Sequence, residues 1–278
     1  MKIHAKPDIK THTFQGMITS SPKMTNFFEV LRRVATTDSA VLIRGETGTG
    51  KELVARTIHN LSSRSTYNFN AVNCAMLMPD LFNSELFGHV KGSFTGAITD
   101  HKGFFEESHL GTLFLDEVAE LPINAQSRLL RVLQEKNFMK VGSTKPISVN
   151  VRILSATHKS LRYEVKEGLF REDLMYRLRV VPIFLPRLVE RGKDIEILTW
   201  RFIEEFNRQN HRFISALSHD AREAILSYEW PGNIRELRNN IEYAFAIGEG
   251  TTLTLDELTP ELQGKDIFKP DLRFHLDY

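Results

Sequence analysis

Gly45-Glu46-Thr47-Gly48-Thr49-Gly50-Lys51 (GETGTGK) follows the apolar run Ala40-Val41-Leu42-Ile43 and precedes a helical stretch, Glu52 to Asn60. The spacing G-x-x-x-x-G-K between a strand and a helix is the phosphate-binding loop in the setting it requires. Its glycines let backbone N–H groups turn inward, and the following helix N-terminus favours anions. Lys51 adds a compact positive charge for the β- and γ-phosphates. A chance glycine-rich turn would not be expected to carry both flanks. The stretch therefore commits the chain to an α/β fold.

The usual motif ends in Ser or Thr, whose hydroxyl binds Mg²⁺; here Glu52 stands in that place. Magnesium must then lean on other groups or on water. Asp116 and Glu117 are the candidates. They end the run Thr112-Leu113-Phe114-Leu115, at the carboxyl end of a buried strand, where α/β proteins bind ligands. Adjacent acids on a strand point to opposite sides, so their roles should differ. Asp116 is expected to hold Mg²⁺ and Glu117 to polarise the attacking water. A lone acidic pair would be an ordinary strand end, but with the upstream loop it predicts a nucleoside triphosphatase.

Outward from these motifs, further apolar runs appear at Phe69-Asn70-Ala71-Val72, Val149 to Leu154 and Val180 to Leu185. Five such runs alternating with helical patterns predict a mostly parallel sheet covered on both faces. After Pro186 the texture changes. Residues 194–210, 218–228 and 233–247 read as helices, the last with Asn233 as its N-cap behind Pro231-Gly232. The expected organisation is an arm over 1–13, an α/β domain over 14–185, a small all-helical domain over 186–262 and an unassigned tail over 263–278.

The chain of 278 residues, 41% hydrophobic, can bury a sizeable core. Thirty-six Lys and Arg against 35 Asp and Glu give a net charge of +1, which offers no electrostatic argument for bulk nucleic-acid or membrane binding. Cys74 is the single cysteine, so no intrachain disulfide can form. No apolar run approaches a membrane span. A cytoplasmic, reducing setting is the expectation.

The motifs GETGTGKE (45–52), NCA (73–75), ELFGHVKGSFTGA (85–97), GTLFLDEV (111–118), GLFREDLMYRL (168–178) and WPGNIRELRN (230–239) make the resemblance specific. The chain resembles the central AAA+ ATPase domain of bacterial enhancer-binding proteins, the NtrC-like activators of sigma-54 RNA polymerase, from Phe14 to about Leu262. Glu52 in place of Ser or Thr is usual in that family. The resemblance implies ATP and Mg²⁺ as ligands, a three-layer α/β domain with a helical lid, and a ring, expected to be a hexamer.

Roles follow from the resemblance residue by residue. Gly45, Glu46, Thr47, Gly48, Thr49, Gly50, Lys51 and Glu52 would form the nucleotide cradle. Arg171 and Arg177 match arginine fingers that reach a neighbour's ATP site, where an Arg on the γ-phosphate is worth on the order of 10³–10⁵ in rate. As sequence alone, both also fit ordinary solvated charges. Arg235 matches the second sensor, although a surface Arg would look the same. Thr157 or His158 matches the first sensor, and the choice between them stays open. Asn73 matches the asparagine that holds the catalytic glutamate, or else caps its strand.

Gly92-Ser93-Phe94-Thr95-Gly96-Ala97 matches the family's six-residue loop, with Ser93 in place of Ala. In the family this loop touches sigma-54 through its Phe and Thr and moves with ATP hydrolysis, assisted by a second insertion, here around Val141 to Thr144. DNA contact is expected only through a domain absent from this chain, with no membrane contact. A nucleotide-gated regulatory scaffold that remodels polymerase weakly is the alternative function. A general AAA+ unfoldase is disfavoured by the Phe-Thr loop.

Overall fold

The computed structural model describes residues 2–76, 79–209 and 212–264. The tail expected to be unassigned lies almost wholly outside them. Five parallel strands form the central sheet: β1 (Val41–Arg44), β2 (Phe69–Asn73), β3 (Thr112–Asp116), β4 (Arg152–Thr157) and β5 (Val181–Phe184), in the order β5-β1-β4-β3-β2. The expected five-stranded parallel sheet is thus present. β1 is buried through Ile43 and β4 is buried throughout, the burial that parallel strands covered on both faces require.

One strand differs from the sequence reading by more than a residue at its ends. β4 begins at Arg152 rather than Val149, and it includes Thr157. Asn150 is instead spent on Arg64, which donates to its Oδ1 at 2.8 Å and its carbonyl at 3.3 Å. Buried Ser155 donates to the Val41 carbonyl at 3.2 Å, so a polar residue sits satisfied inside the sheet and the apolar pattern alone misplaces the strand.

Contacts divide the chain into two units, Asn26–Pro186 and the residues up to Thr25 together with those from Arg187 onward. The first holds the sheet and its core of Phe82, Leu86, Phe105, Leu113, Leu129 and Leu174 among others. It also carries a short hairpin, Asn137–Met139 with Pro146–Ser148, whose turn holds the second insertion.

The second unit contains helices Asp194–Gln209, His219–Ser227 and Asn233–Ile247 around Ile203, Phe206, Leu237, Ile241 and Phe245. It is not all-helical. Ala216–Ser218 pairs in parallel with Thr252–Leu253 and antiparallel with Ile3–His4. The leading residues expected to be an arm therefore supply a strand and, after it, a hairpin, His12–Phe14 with Met17–Thr19. Ser20 N–H and the Thr19 hydroxyl both donate to Asp194, at 2.8 and 2.5 Å. Pairing partners some 200 residues apart leave no local pattern in sequence.

Asn233 is not the N-cap. It is the first helical residue, with φ of 51°, and its Oδ1 accepts the Leu188 N–H at 2.9 Å. The helix start is closed instead by Glu236, whose Oε2 accepts the Gly232 N–H at 2.7 Å.

Candidate functional site

The order β5-β1-β4-β3-β2 puts β4 between β1 and β3, so their carboxyl ends meet. From β1 the chain enters the phosphate loop. Gly48 and Gly50 have φ of 78° and 101°, a region open to glycine at little cost. Gly45 N–H donates to the Thr157 carbonyl at 3.4 Å, and a Cβ at Gly45 would lie 3.2 Å from the Leu185 carbonyl. Buried Thr49 donates to the Glu46 carbonyl at 2.7 Å, which tightens the turn. The helix Lys51–Asn60 then starts at Lys51 itself, placing the free N–H groups of its first turn at the loop.

Lys51 is 7% exposed. Its ammonium donates to the Gly45 carbonyl at 3.1 Å, the Glu46 carbonyl at 3.4 Å and Glu117 Oε1 at 3.1 Å. Loop and acidic pair are thereby joined by one short ion pair. Glu52 does not face this pair. Its Oε1 accepts two bonds from Arg56, at 3.0 and 2.8 Å, one turn along the helix, so it does not replace the missing hydroxyl.

Glu117 has φ of 50°, a left-handed conformation uncommon for a residue with a Cβ and often found at functional sites. Its Oε2 is met by His158, through Nδ1 at 2.7 Å and the backbone N–H at 3.3 Å. Burial works against ionisation of Glu117, but the His158 hydrogen bond and the Lys51 charge outweigh it and hold its pKa below the ordinary glutamate value. Asp116 goes the other way: burial, reinforced by the charge of Glu117, raises it above the usual carboxylate range. The two neighbouring acids thus have different electrostatic settings. Glu117 is ready to accept a proton at neutral pH, and Asp116 gains most from a cation beside it. Among the described residues no cluster of three or more His, Cys, Asp or Glu side chains could hold a metal, so a divalent ion at Asp116 would need phosphate oxygens or water to complete its shell. The buried lysine, the glycine turns and this acid together suit a magnesium–triphosphate.

His158 was one of two residues matched to the first sensor. Thr157 is fully buried and its Oγ1 accepts the Lys159 N–H at 3.0 Å, whereas His158 reaches Glu117. His158 directly follows β4, and it is the sheet order, with β4 beside β3, that brings it to Glu117. Asn73 lies beside Asp116 in the β2–β3 register. Its Oδ1 accepts the Ala75 N–H at 2.9 Å, while the hydrogen bonds of the Glu117 carboxylate come from Lys51 and His158.

Arg171 caps the helix Glu172–Leu178. Its guanidinium forks onto Asp173 at 3.1 and 2.8 Å and donates to Ser127 Oγ at 3.3 Å, and its backbone N–H donates to Gln126. Sequence reasoning missed these holders. Arg177 is exposed and donates to the Leu133 carbonyl at 3.2 Å. Arg235 is exposed near the start of the helix Asn233–Ile247. Cys74 is buried, and burial pushes its thiol far up from the ordinary value, which marks an inert packing residue rather than a nucleophile.

The loop 92–97 lies away from this cluster in the chain and is anchored on its own base. Phe94 is 39% exposed and its ring stands edge-on to His89, centroids 5.0 Å apart. His89 in turn bonds Ser84 at 2.7 Å and stacks on His101. Main-chain bonds from Val90 N–H to the Val141 carbonyl (3.1 Å) and from Val141 N–H to the Gly88 carbonyl (2.9 Å) tie the loop base to the second insertion.

A phosphate loop on β1, a split acidic pair ending β3 and a sheet of this order define a P-loop ATPase fold of the AAA+ kind. Residues 17–184 match the family model described as the sigma-54 interaction domain, and residues 189–272 match the AAA+ ATPase lid domain. The chain belongs to the sigma-54 interaction domain family. It is 47% identical over 248 residues to the nitrogen fixation protein AnfA of Azotobacter vinelandii, covering 89% of this chain and 46% of that protein. It is 44% identical over 247 residues to the regulatory protein AtoC of Escherichia coli, covering 89% of this chain and 54% of the relative. Among solved structures, NtrX from Brucella abortus in complex with ADP superposes with a TM-score of 0.82 at 37% identity, over 92% of this chain and 58% of that one. NtrX has also been solved in complex with ATP. The chain spans about half the length of the curated relatives it matches. Among the described residues no helix is long and apolar enough to cross a membrane.

Proposed function

We propose that this chain hydrolyses ATP as one subunit of a ring and uses the cycle to drive the loop Gly92–Ala97 against sigma-54 RNA polymerase, activating transcription. The observation that carries the reading is the convergence of Lys51, Glu117 and His158 at the phosphate loop, in a chain whose family match is the sigma-54 interaction domain. The NtrX structures with ADP and ATP support a nucleotide as the ligand.

In this reading the loop N–H groups and Lys51 cradle the triphosphate. Its arrival draws Lys51 off Glu117, since one ammonium cannot serve both anions equally. Glu117, kept ionised and aimed by His158, then takes a proton from the attacking water as the bond between the β–γ bridging oxygen and the γ-phosphorus breaks. Mg²⁺, held by Asp116 with phosphate oxygens, would neutralise charge on the transferring group. Arg171 and Arg177 serve a neighbouring subunit's site, Arg171 after leaving Asp173, and Arg235 and Thr157–His158 sense the γ-phosphate. Asn73 tunes Glu117 from the adjoining strand.

The contact reading is tested at Phe94. In Phe94→Ala, ATP turnover should stay within about twofold of the parent chain while affinity for sigma-54 in the ADP–aluminium fluoride state falls by about tenfold or more, as for an aromatic anchor. Unchanged affinity, read by fluorescence anisotropy with labelled sigma-54, would remove the loop from the contact.

A further inference from the structure

The segment around the six-residue loop is closed by its own main-chain N–H groups, three bonded to main-chain carbonyls and one to the Asp100 side chain. Lys91 N–H donates to Asp100 Oδ1 at 2.7 Å and Gly92 N–H to the Ala97 carbonyl at 2.9 Å. Within it, Ala97 N–H donates to the Phe94 carbonyl at 3.0 Å and Ile98 N–H to the Gly96 carbonyl at 2.9 Å. The closure thus runs from Lys91 to Asp100 and takes in Ile98, beyond the six residues of the motif.

This closure sorts the side chains into two sets. Ser93 Oγ is buried and has no hydrogen-bond partner. The residue is pressed on the second insertion, for a Cβ at Gly142 would come within 2.5 Å of Ser93 Cβ. Ala97 is 7% exposed. Both face inward, so neither offers its side chain to a partner. Outside stand Thr95, Phe94 and Ile98, the last 77% exposed. A single exposed isoleucine is ordinary on a protein surface. Here, however, three main-chain hydrogen bonds and one to the Asp100 carboxylate hold a polar, glycine-rich turn in a shape that presents two large apolar side chains. Part of the Phe94 ring is already occupied by His89, which leaves Ile98 the freer apolar surface of the two.

We infer that Ile98 is a second apolar contact of this loop, and that the surface offered to sigma-54 is Phe94, Thr95 and Ile98, with Ser93 and Ala97 as inward anchors. The occupant is an apolar protein surface on sigma-54, so the inference rests on the reading above. Ile98 extends that contact past the six-residue motif and makes this position a determinant of partner affinity.

The test compares Ile98→Ser, Ile98→Met and Phe94→Ala in the full chain, each assayed for ATP turnover and for binding to labelled sigma-54 in the ADP–aluminium fluoride state. Ile98→Ser is expected to weaken binding by about tenfold, the factor a buried aliphatic contact supplies at a small interface. Ile98→Met should regain most of the loss, and turnover should be unchanged in both. Parent-like affinity in Ile98→Ser, alongside lost binding in Phe94→Ala, overturns the inference and leaves the sigma-54 reading standing. Parent-like affinity in both variants overturns the sigma-54 reading with it. Lost turnover in Ile98→Ser would show that the side chain supports the fold rather than the contact, and also overturns the inference.

Discussion

Glu117→Gln is expected to lower ATP turnover by about 10²–10⁴-fold, the range a positioned general base supplies, while nucleotide affinity is kept or improves. The two halves have one cause. Glu117 Oε1 holds the Lys51 ammonium at 3.1 Å, with both side chains largely buried. A triphosphate must compete with that carboxylate for Lys51. Glutamine keeps the shape and can still accept from His158, but it carries no charge to hold the lysine and no basicity to take a proton. Turnover by coupled assay and affinity for a non-hydrolysable ATP analogue read the two halves separately. Near-normal turnover would show that another group is the base. A weakened affinity would show that the ion pair with Lys51 helps assemble the cradle rather than competing with the ligand.

Lys51→Ala has the second large effect. It removes the buried cation at the loop and leaves Glu117 with His158 alone. A charge-assisted bond to a phosphate is worth about 1.5–3 kcal/mol, so ATP affinity should fall by about 10- to 100-fold, with turnover lost as well. The substitution also strands a mostly buried carboxylate, which raises the Glu117 pKa by removing one of the charges that lowers it. Restored affinity in the double variant Lys51→Ala with Glu117→Gln would separate that penalty from the lost phosphate contact. Isothermal titration with the analogue is the measurement, and unaltered affinity in Lys51→Ala would undo the phosphate-loop assignment.

The features most legible in sequence were local ones. GETGTGK and the Asp116-Glu117 pair are read from spacing alone, because the chemistry requires a strand, a glycine turn and a helix in immediate succession. β1 and β3 were visible because burial on both faces leaves continuous apolar runs, whereas the edge strands β2 and β5 are only partly buried and show as shorter runs. What escaped was set by distant partners. The Ile3–His4 strand pairs with residues near 217, and nothing in MKIHAKPDIK announces it. Glu117 and His158 are 41 positions apart and meet because β4 lies beside β3. Asn233 has the composition of an N-cap, yet its side chain is claimed by Leu188. In the loop, sequence supplied the six residues but not which way each faces. Ser93, the one departure from the family's loop, turns inward against Gly142.

The most direct test of the account is whether the nucleotide state controls binding to sigma-54. Labelled sigma-54 is titrated with the chain in the presence of ADP–aluminium fluoride, of ADP, and of no nucleotide. Saturable binding is expected with the transition-state analogue and an affinity at least about tenfold weaker in the other two states, a coupling of about 1.4 kcal/mol. Equal affinity in all three states, or none in any, would contradict it.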